Sequence, residues 1–188
     1  MQRQVSRRWS IPILIVLFTG ALAIWYFIES EESYETPQEA VLAVNPDLLL
    51  IPGYQLNKDS LFFFIKKTGA LLGAIYAREG VLGWKAGFHT WGSSGINQDH
   101  TLFGGYQGQG NLKYGFIKLK DGQVLQMDNE RVVTLDLNMM GEEIVEQYDV
   151  NGLYIWYVEL DEMDDQMKVL QLIDEETDEV LDEIDIEA

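Results

Sequence analysis

From Ile11 to Ile28 the chain reads IPILIVLFTGALAIWYFI, 18 residues without a charge, close to the roughly 20 apolar residues that cross a bilayer as a helix. Arg3, Arg7 and Arg8 precede this run, and Glu29, Glu31, Glu32 and Glu35 follow it. Positive flanks stay in the cytoplasm, so the pattern predicts one transmembrane helix over 11–28, residues 1–10 inside and the remainder outside. Trp25, Tyr26 and Phe27 fall at the outer interfacial aromatic belt and Trp9 near the inner one. Ala21-Leu22-Ala23 has the small-x-small form of a signal-peptidase site. Cleavage after Ala23, however, would leave a mature terminus beginning Ile-Trp-Tyr-Phe-Ile, an apolar run with no reason to face water. An uncleaved anchor is the expectation.

Residues 29–36, ESEESYET, are polar and acidic and read as a short linker. In Thr36-Pro37-Gln38-Glu39 a threonine N-cap, a proline at the first helical position and a glutamate at the third form a capping box. The helix they open runs to about Val44, where Asn45-Pro46 stops it. From Leu48 onward short apolar runs separated by turn signals predict antiparallel strands. A first sheet takes 48–51, 60–66, 71–78 and 83–90, broken at Pro52-Gly53, Lys67-Thr68-Gly69 and Glu79-Gly80. Further strands are expected at 112–119, 123–127, 131–137, 143–148, 153–160 and 168–173, with a last one at 180–186. Hairpin turns fit Lys120-Asp121-Gly122 and Asp149-Val150-Asn151-Gly152, where Asp, Asn and Gly tolerate positive φ. Val133, Leu135 and Leu137 alternate with Thr134 and Asp136, and Leu112, Tyr114 and Phe116 alternate likewise, as in strands with one face in water. Residues 168–188 read as a hairpin turning through 175–178, with an acidic helix as the rival. The fold class is therefore mainly β, antiparallel sheets in a sandwich-like or α+β arrangement with one short helix. It forms one domain over 37–188 with a sub-boundary near 105–121.

Charge refines this picture. The net charge of −18 is unevenly spread. Residues 1–47 carry three basic and six acidic groups, 48–120 eight and three, and 121–188 two and twenty-two. A basic middle and an acidic end attract each other or serve different partners, and an overall charge of this sign disfavours nucleic acid. There is no cysteine, which excludes disulfides, thiol catalysis and thiolate metal sites. No glycosylation sequon occurs either.

The run Gly83-Trp84-Lys85, the glycine-rich stretch after it, Tyr114-Gly115-Phe116-Ile117 and the terminal strand-turn-strand together resemble uncharacterised single-pass, membrane-anchored extracytoplasmic proteins of Gram-positive firmicutes. The likeness spans about residues 60–188. It implies a cell-envelope location and brings no activity.

The most site-like cluster mixes aromatic and titratable groups: Trp84, His89 and Trp91, followed by Asp99 and His100. A histidine there could act as a base with Asp99 orienting it, the arrangement an envelope hydrolase or transferase would use. No nucleophile stands in a recognised context, because Gly92-Ser93-Ser94-Gly95 departs from the Gly-x-Ser-x-Gly elbow at Ile96. Gly104-Gly105-Tyr106-Gln107-Gly108-Gln109-Gly110 lacks the Gly-Lys-Ser/Thr and the following helix of a phosphate loop, so it reads as a turn. Asp161, Glu162, Asp164 and Asp165, with Asp174, Glu175, Glu176 and Asp178, could hold calcium through oxygen ligands but match no EF-hand. They read first as solvated loops.

Lys58, Lys66, Lys67, Arg78, Lys85, Lys113, Lys118 and Lys120 lie among Phe62, Phe64, Tyr76, Trp84 and Tyr114, an anion-binding face unless these cations pair with the acidic end. Lys66, Lys67, Trp84, Lys85, His89 and Trp91 are the expected ligand-binding residues, with no catalytic residue, metal or cofactor assigned. The expected function is a membrane-tethered, non-enzymatic binding or regulatory module that meets another envelope protein or an anionic wall polymer.

Overall fold

A computed structural model describes residues 7–56, 58–66, 71–93, 106–107, 112–160 and 167–186. The apolar run lies in helix α1 (Arg7–Glu31), whose stretch Pro12–Glu31 has a mean hydropathy of 2.0 and no part buried against the rest of the chain. Its one hydroxyl in mid-run is satisfied within the helix, Thr19 Oγ1 donating to the Ile15 carbonyl at 2.9 Å. The helix continues through Glu29, Ser30 and Glu31, so the first part of the expected linker is helical. Helix α2 (Pro37–Val44) begins on the predicted capping box, with the Thr36 hydroxyl accepting from the Glu39 amide and the Glu39 carboxylate accepting from the Thr36 amide.

Strands β1 (Leu48–Leu56), β2 (Asp59–Lys66), β3 (Leu71–Glu79) and β4 (Trp84–Ser93) form a first antiparallel sheet in chain order. The break expected at Pro52-Gly53 is a bulge inside β1, with the register shifting between Pro52 and Tyr54. Proline survives there because β1 is an edge strand and the missing N–H is not needed by a neighbour. A second sheet is ordered β5 (Tyr106–Gln107), β6 (Leu112–Lys118), β10 (Leu153–Glu159), β9 (Val133–Asp136). The third is ordered β12 (Glu179–Ile186), β11 (Lys168–Asp174), β7 (Gln123–Met127), β8 (Glu130–Arg131). The hairpin turning through 175–178 joins β11 to β12, with Asp178 at φ 55°.

Four expectations about elements and turns are corrected. Residues 143–148 are not a strand but helix α3 (Glu142–Tyr148). Ile144, Val145 and Tyr148 share one helical face, the glutamates and Gln147 favour helix, and Val145 docks into the core. The Asp149-to-Gly152 turn accordingly closes that helix instead of a hairpin, Asp149 taking the left-handed C-cap. Residues 131–137 are not one strand: β8 belongs to the third sheet and β9 to the second, and the chain changes sheets at Val132. The turn at Lys120-Asp121-Gly122, with Gly122 at φ 78°, likewise carries the chain from second to third sheet and makes no hairpin.

The layers run α2, first sheet, second sheet, third sheet. Leu61, Phe63, Ile65 and Leu72 of the first sheet meet Tyr114, Phe116, Leu153 and Ile155 of the second. Phe63 lies 5.5 Å from the Tyr114 ring and 5.2 Å from that of Tyr157. On the outer face of the first sheet, Phe62, Phe64 and Ile75 pack under Ala40 and Val41 of α2. Ile117 and Trp156 turn the other way, onto Leu125, Leu170 and Leu172 of the third sheet. The expectation that Leu112, Tyr114 and Phe116 stand opposite a wet face is thus overturned, since every residue from Leu112 to Ile117 is buried. Strands β2 and β6 are each covered on two sides, which explains the unbroken apolar run Leu61-Phe62-Phe63-Phe64-Ile65 in β2.

Candidate functional site

Three places in this framework combine chemistry with access. The first is the joint between α1 and the first sheet. Tyr34 forms an isolated bridge with Trp84, the Tyr34 amide donating to the Trp84 carbonyl at 2.9 Å and the Trp84 amide returning a bond at 2.8 Å. Gly83 is at φ 141°, and a Cβ on it would sit 2.5 Å from the Tyr34 carbonyl oxygen, so only glycine permits this approach. Lys85 Nζ lies 2.9 Å from Glu29 Oε2 and 3.4 Å from Glu32 Oε2. Its pKa is raised, chiefly by the hydrogen bond to Glu29. Lys85 is therefore engaged in holding the helix end, and Trp84, 8% exposed, is part of the core beneath α2.

The second place is at the opposite end of the same sheet. Val44 at the end of α2, its C-cap Asn45, the start of β1 at Leu48 and the start of β3 at Leu71 wall a pocket of about 200 Å³ floored by Phe64 and Ile75. Lys66, from the end of β2, and Trp91, from β4, complete it. The lining is mainly apolar. Lys66 is exposed and has no ion pair among the described residues, and Trp91 is 60% exposed. Seven residues of β4 separate Trp84 from Trp91, roughly 23 Å at the rise of an extended strand.

The third place bridges the first and second sheets. Tyr54 from β1 and Tyr76 from β3 both donate to Glu159 Oε1 on β10, at 2.5 and 2.6 Å. The Tyr54 ring also stacks on Tyr157 at 6.4 Å. Burial, then the Glu159 hydrogen bond, pushes the Tyr54 phenol up to about 12, and the same causes in the same order raise Tyr76 further. Both phenols stay protonated at any physiological pH and serve as donors, which makes this cluster a latch between sheets and not a source of phenolate.

Of the residues expected to bind a ligand, the structure brings Lys66 and Trp91 together and places Trp84 and Lys85 at the other end of the sheet. His89 lies between them on β4, paired through its backbone register with Ile75. Its side chain, Lys67, Asp99 and His100 lie outside the described residues, as do Asp161, Glu162, Asp164 and Asp165. Of the glycine-rich stretch, Tyr106 and Gln107 form β5. The acidic set after β11 has structural work: Asp174 Oδ1 accepts from the amides of Glu176 and Thr177, and Glu175 pairs with Arg131. Among the described residues no three His, Asp or Glu side chains are grouped to hold a metal ion. The cations of the middle region do not simply answer the acidic end, since Arg78 pairs with Asp59 and Lys85 with Glu29 and Glu32.

Sequence reasoning missed the tyrosine latch, because 105 and 83 residues separate Tyr54 and Tyr76 from Glu159 and no periodicity links them. It missed the pocket walls as well, although Val44, Leu48 and Leu71 are apolar residues at element ends, the one signal that could have marked them. No protein-family model matches the chain, and neither a curated protein nor a solved structure matches it.

Proposed function

We propose that this protein is a membrane-tethered, non-enzymatic binding module. Its β domain stands on the non-cytoplasmic side and receives an anionic, partly apolar group in the pocket beside Lys66 and Trp91. The observation that carries the reading is the pocket itself. A mainly apolar hollow with an ammonium group at its rim is what a ligand bearing both a hydrocarbon part and a negative charge needs. Its place matters too: α1 is fastened at the Trp84 end of the first sheet, so the pocket opens at the end remote from the bilayer, where another envelope protein or an anionic wall polymer can reach it. The arginines flanking the apolar helix on its N-terminal side support the orientation.

Naphthalene-2-sulfonate, a water-soluble ring with one negative charge, is a suitable probe for the full chain held in lipid nanodiscs. Saturable binding is expected. Lys66→Glu should weaken it roughly ten-fold, equivalent to about 1.4 kcal/mol, and Leu71→Trp, which fills the hollow without adding charge, should abolish it. Equal affinity in the parent and both variants would remove the pocket from the account.

A further inference from the structure

The turn joining β3 to β4 has a feature that the binding role does not use. Its four residues, Gly80-Val81-Leu82-Gly83, are closed by the Gly80 amide donating to the Gly83 carbonyl at 2.7 Å, and they hold Val81 outward with 79% of its surface exposed. Leu82 beside it is half-buried. An aliphatic side chain displayed at a turn tip is neutral in water and favourable against lipid, so the position of the turn decides what it meets.

That position is set by α1. The apolar stretch Pro12–Glu31 has 20 residues, about 30 Å of helix at 1.5 Å per residue, which matches the hydrocarbon thickness of a bilayer. Glu29, near the end of that stretch, therefore stands at the outer interface, with Trp25, Tyr26 and Phe27 just beneath it. A Cβ placed on Gly80 would lie 3.4 Å from Glu29 Oε1, and one on Gly83 would meet Ser33 and Tyr34. The turn is thus level with the end of the helix and beside it. The neighbouring turn between β1 and β2 is tied to the same level, the Glu79 amide donating to the Lys58 carbonyl at 2.7 Å, and it presents the exposed Lys58.

We propose that the tip of the β3–β4 turn, Val81 with Leu82, enters the headgroup and acyl boundary of the outer leaflet as a second membrane contact. Lys58 then faces the lipid phosphates. An aliphatic tip beside the end of the apolar helix, with Lys58 on the neighbouring turn, suits a phospholipid interface, and proximity to the helix end makes lipid the occupant at hand. The proposal rests on the reading of α1 as a membrane anchor. With the helix and the turn both engaged, the first sheet could not swivel about a single pivot, and the pocket at its far end would be held away from the bilayer.

The chain contains no cysteine, so single cysteines can be introduced on a clean background and labelled with an environment-sensitive nitrobenzoxadiazole dye. The full chain carrying Val81→Cys, Phe18→Cys or Met139→Cys is reconstituted into vesicles of phosphatidylcholine and phosphatidylglycerol, with and without brominated acyl chains. Dye at position 81 should emit at shorter wavelength than dye at 139 and be quenched by brominated lipid to roughly half the extent seen at 18, as an interfacial depth requires. Quenching at 18 with position 81 indistinguishable from 139 would overturn this inference and leave the tether intact. No quenching at 18 would overturn the anchor and this inference with it.

Discussion

Phe63→Ala will lower the unfolding free energy of the domain by about 3 to 5 kcal/mol, the range for deleting a buried aromatic ring. Phe63 has no exposed surface and is the side chain on which the interface between the first two sheets is centred, with Tyr114 and Tyr157 against its ring. Tyr114 is further held from above by its hydroxyl, which donates to the Thr90 carbonyl at 3.3 Å. The two sheets therefore cannot easily close over the lost volume, and the upper part of the range applies. Urea unfolding followed by tryptophan fluorescence measures the loss. Met139→Ala, at a position 84% exposed on the short 3₁₀ turn Leu137–Met140, serves as the control and should shift stability by less than about 0.5 kcal/mol. A similar small shift for both variants would mean that the first and second sheets do not share a core.

The other large effect concerns the helix. Changing both Leu17 and Phe18 to arginine places two charges near the middle of the apolar stretch, a penalty of roughly 5 to 7 kcal/mol on the insertion scale. Leu17 and Phe18 are 65% and 66% exposed, and no part of their stretch is buried against the described residues, so the folded domain is expected to survive unchanged. The parent protein should remain with membranes after alkaline carbonate extraction, and the doubly substituted chain should move to the supernatant. A variant that stays in the pellet with its domain folded would show that the domain binds membranes without the helix.

Local signals in the sequence were the legible ones. The capping box of α2 could be read because all its partners lie within four residues, and the meander of the first sheet because each turn follows its strand directly. What stayed hidden depends on which surfaces meet. Leu112, Tyr114 and Phe116 carry the alternation of a half-wet strand, yet Ile117 on the other face is covered by a third sheet that only the chain crossings at Gly122 and Val132 create. Residues 143–148 read as a strand because Ile144 and Val145 are β-branched, whereas the spacing to Tyr148 was the better guide. At the candidate site, Lys66 and Trp91 were recognisable as chemistry, and Trp84 and Lys85 looked equivalent to them. Only the bridge to Tyr34 and the ion pairs with Glu29 and Glu32 reveal that those two serve the joint with α1. The tyrosine latch depends on three strands from two sheets, and nothing local announces it.

Labelling of single cysteines in intact cells tests whether one helix displays the β domain on the non-cytoplasmic side of a membrane. The full chain carrying Met139→Cys, exposed in the β domain, or Gln4→Cys, before the helix, is treated with a membrane-impermeant maleimide before and after permeabilisation. Position 139 is expected to be labelled in intact cells and position 4 only once the membrane is opened. Labelling of position 4 in intact cells with position 139 protected would place the β domain on the cytoplasmic side instead.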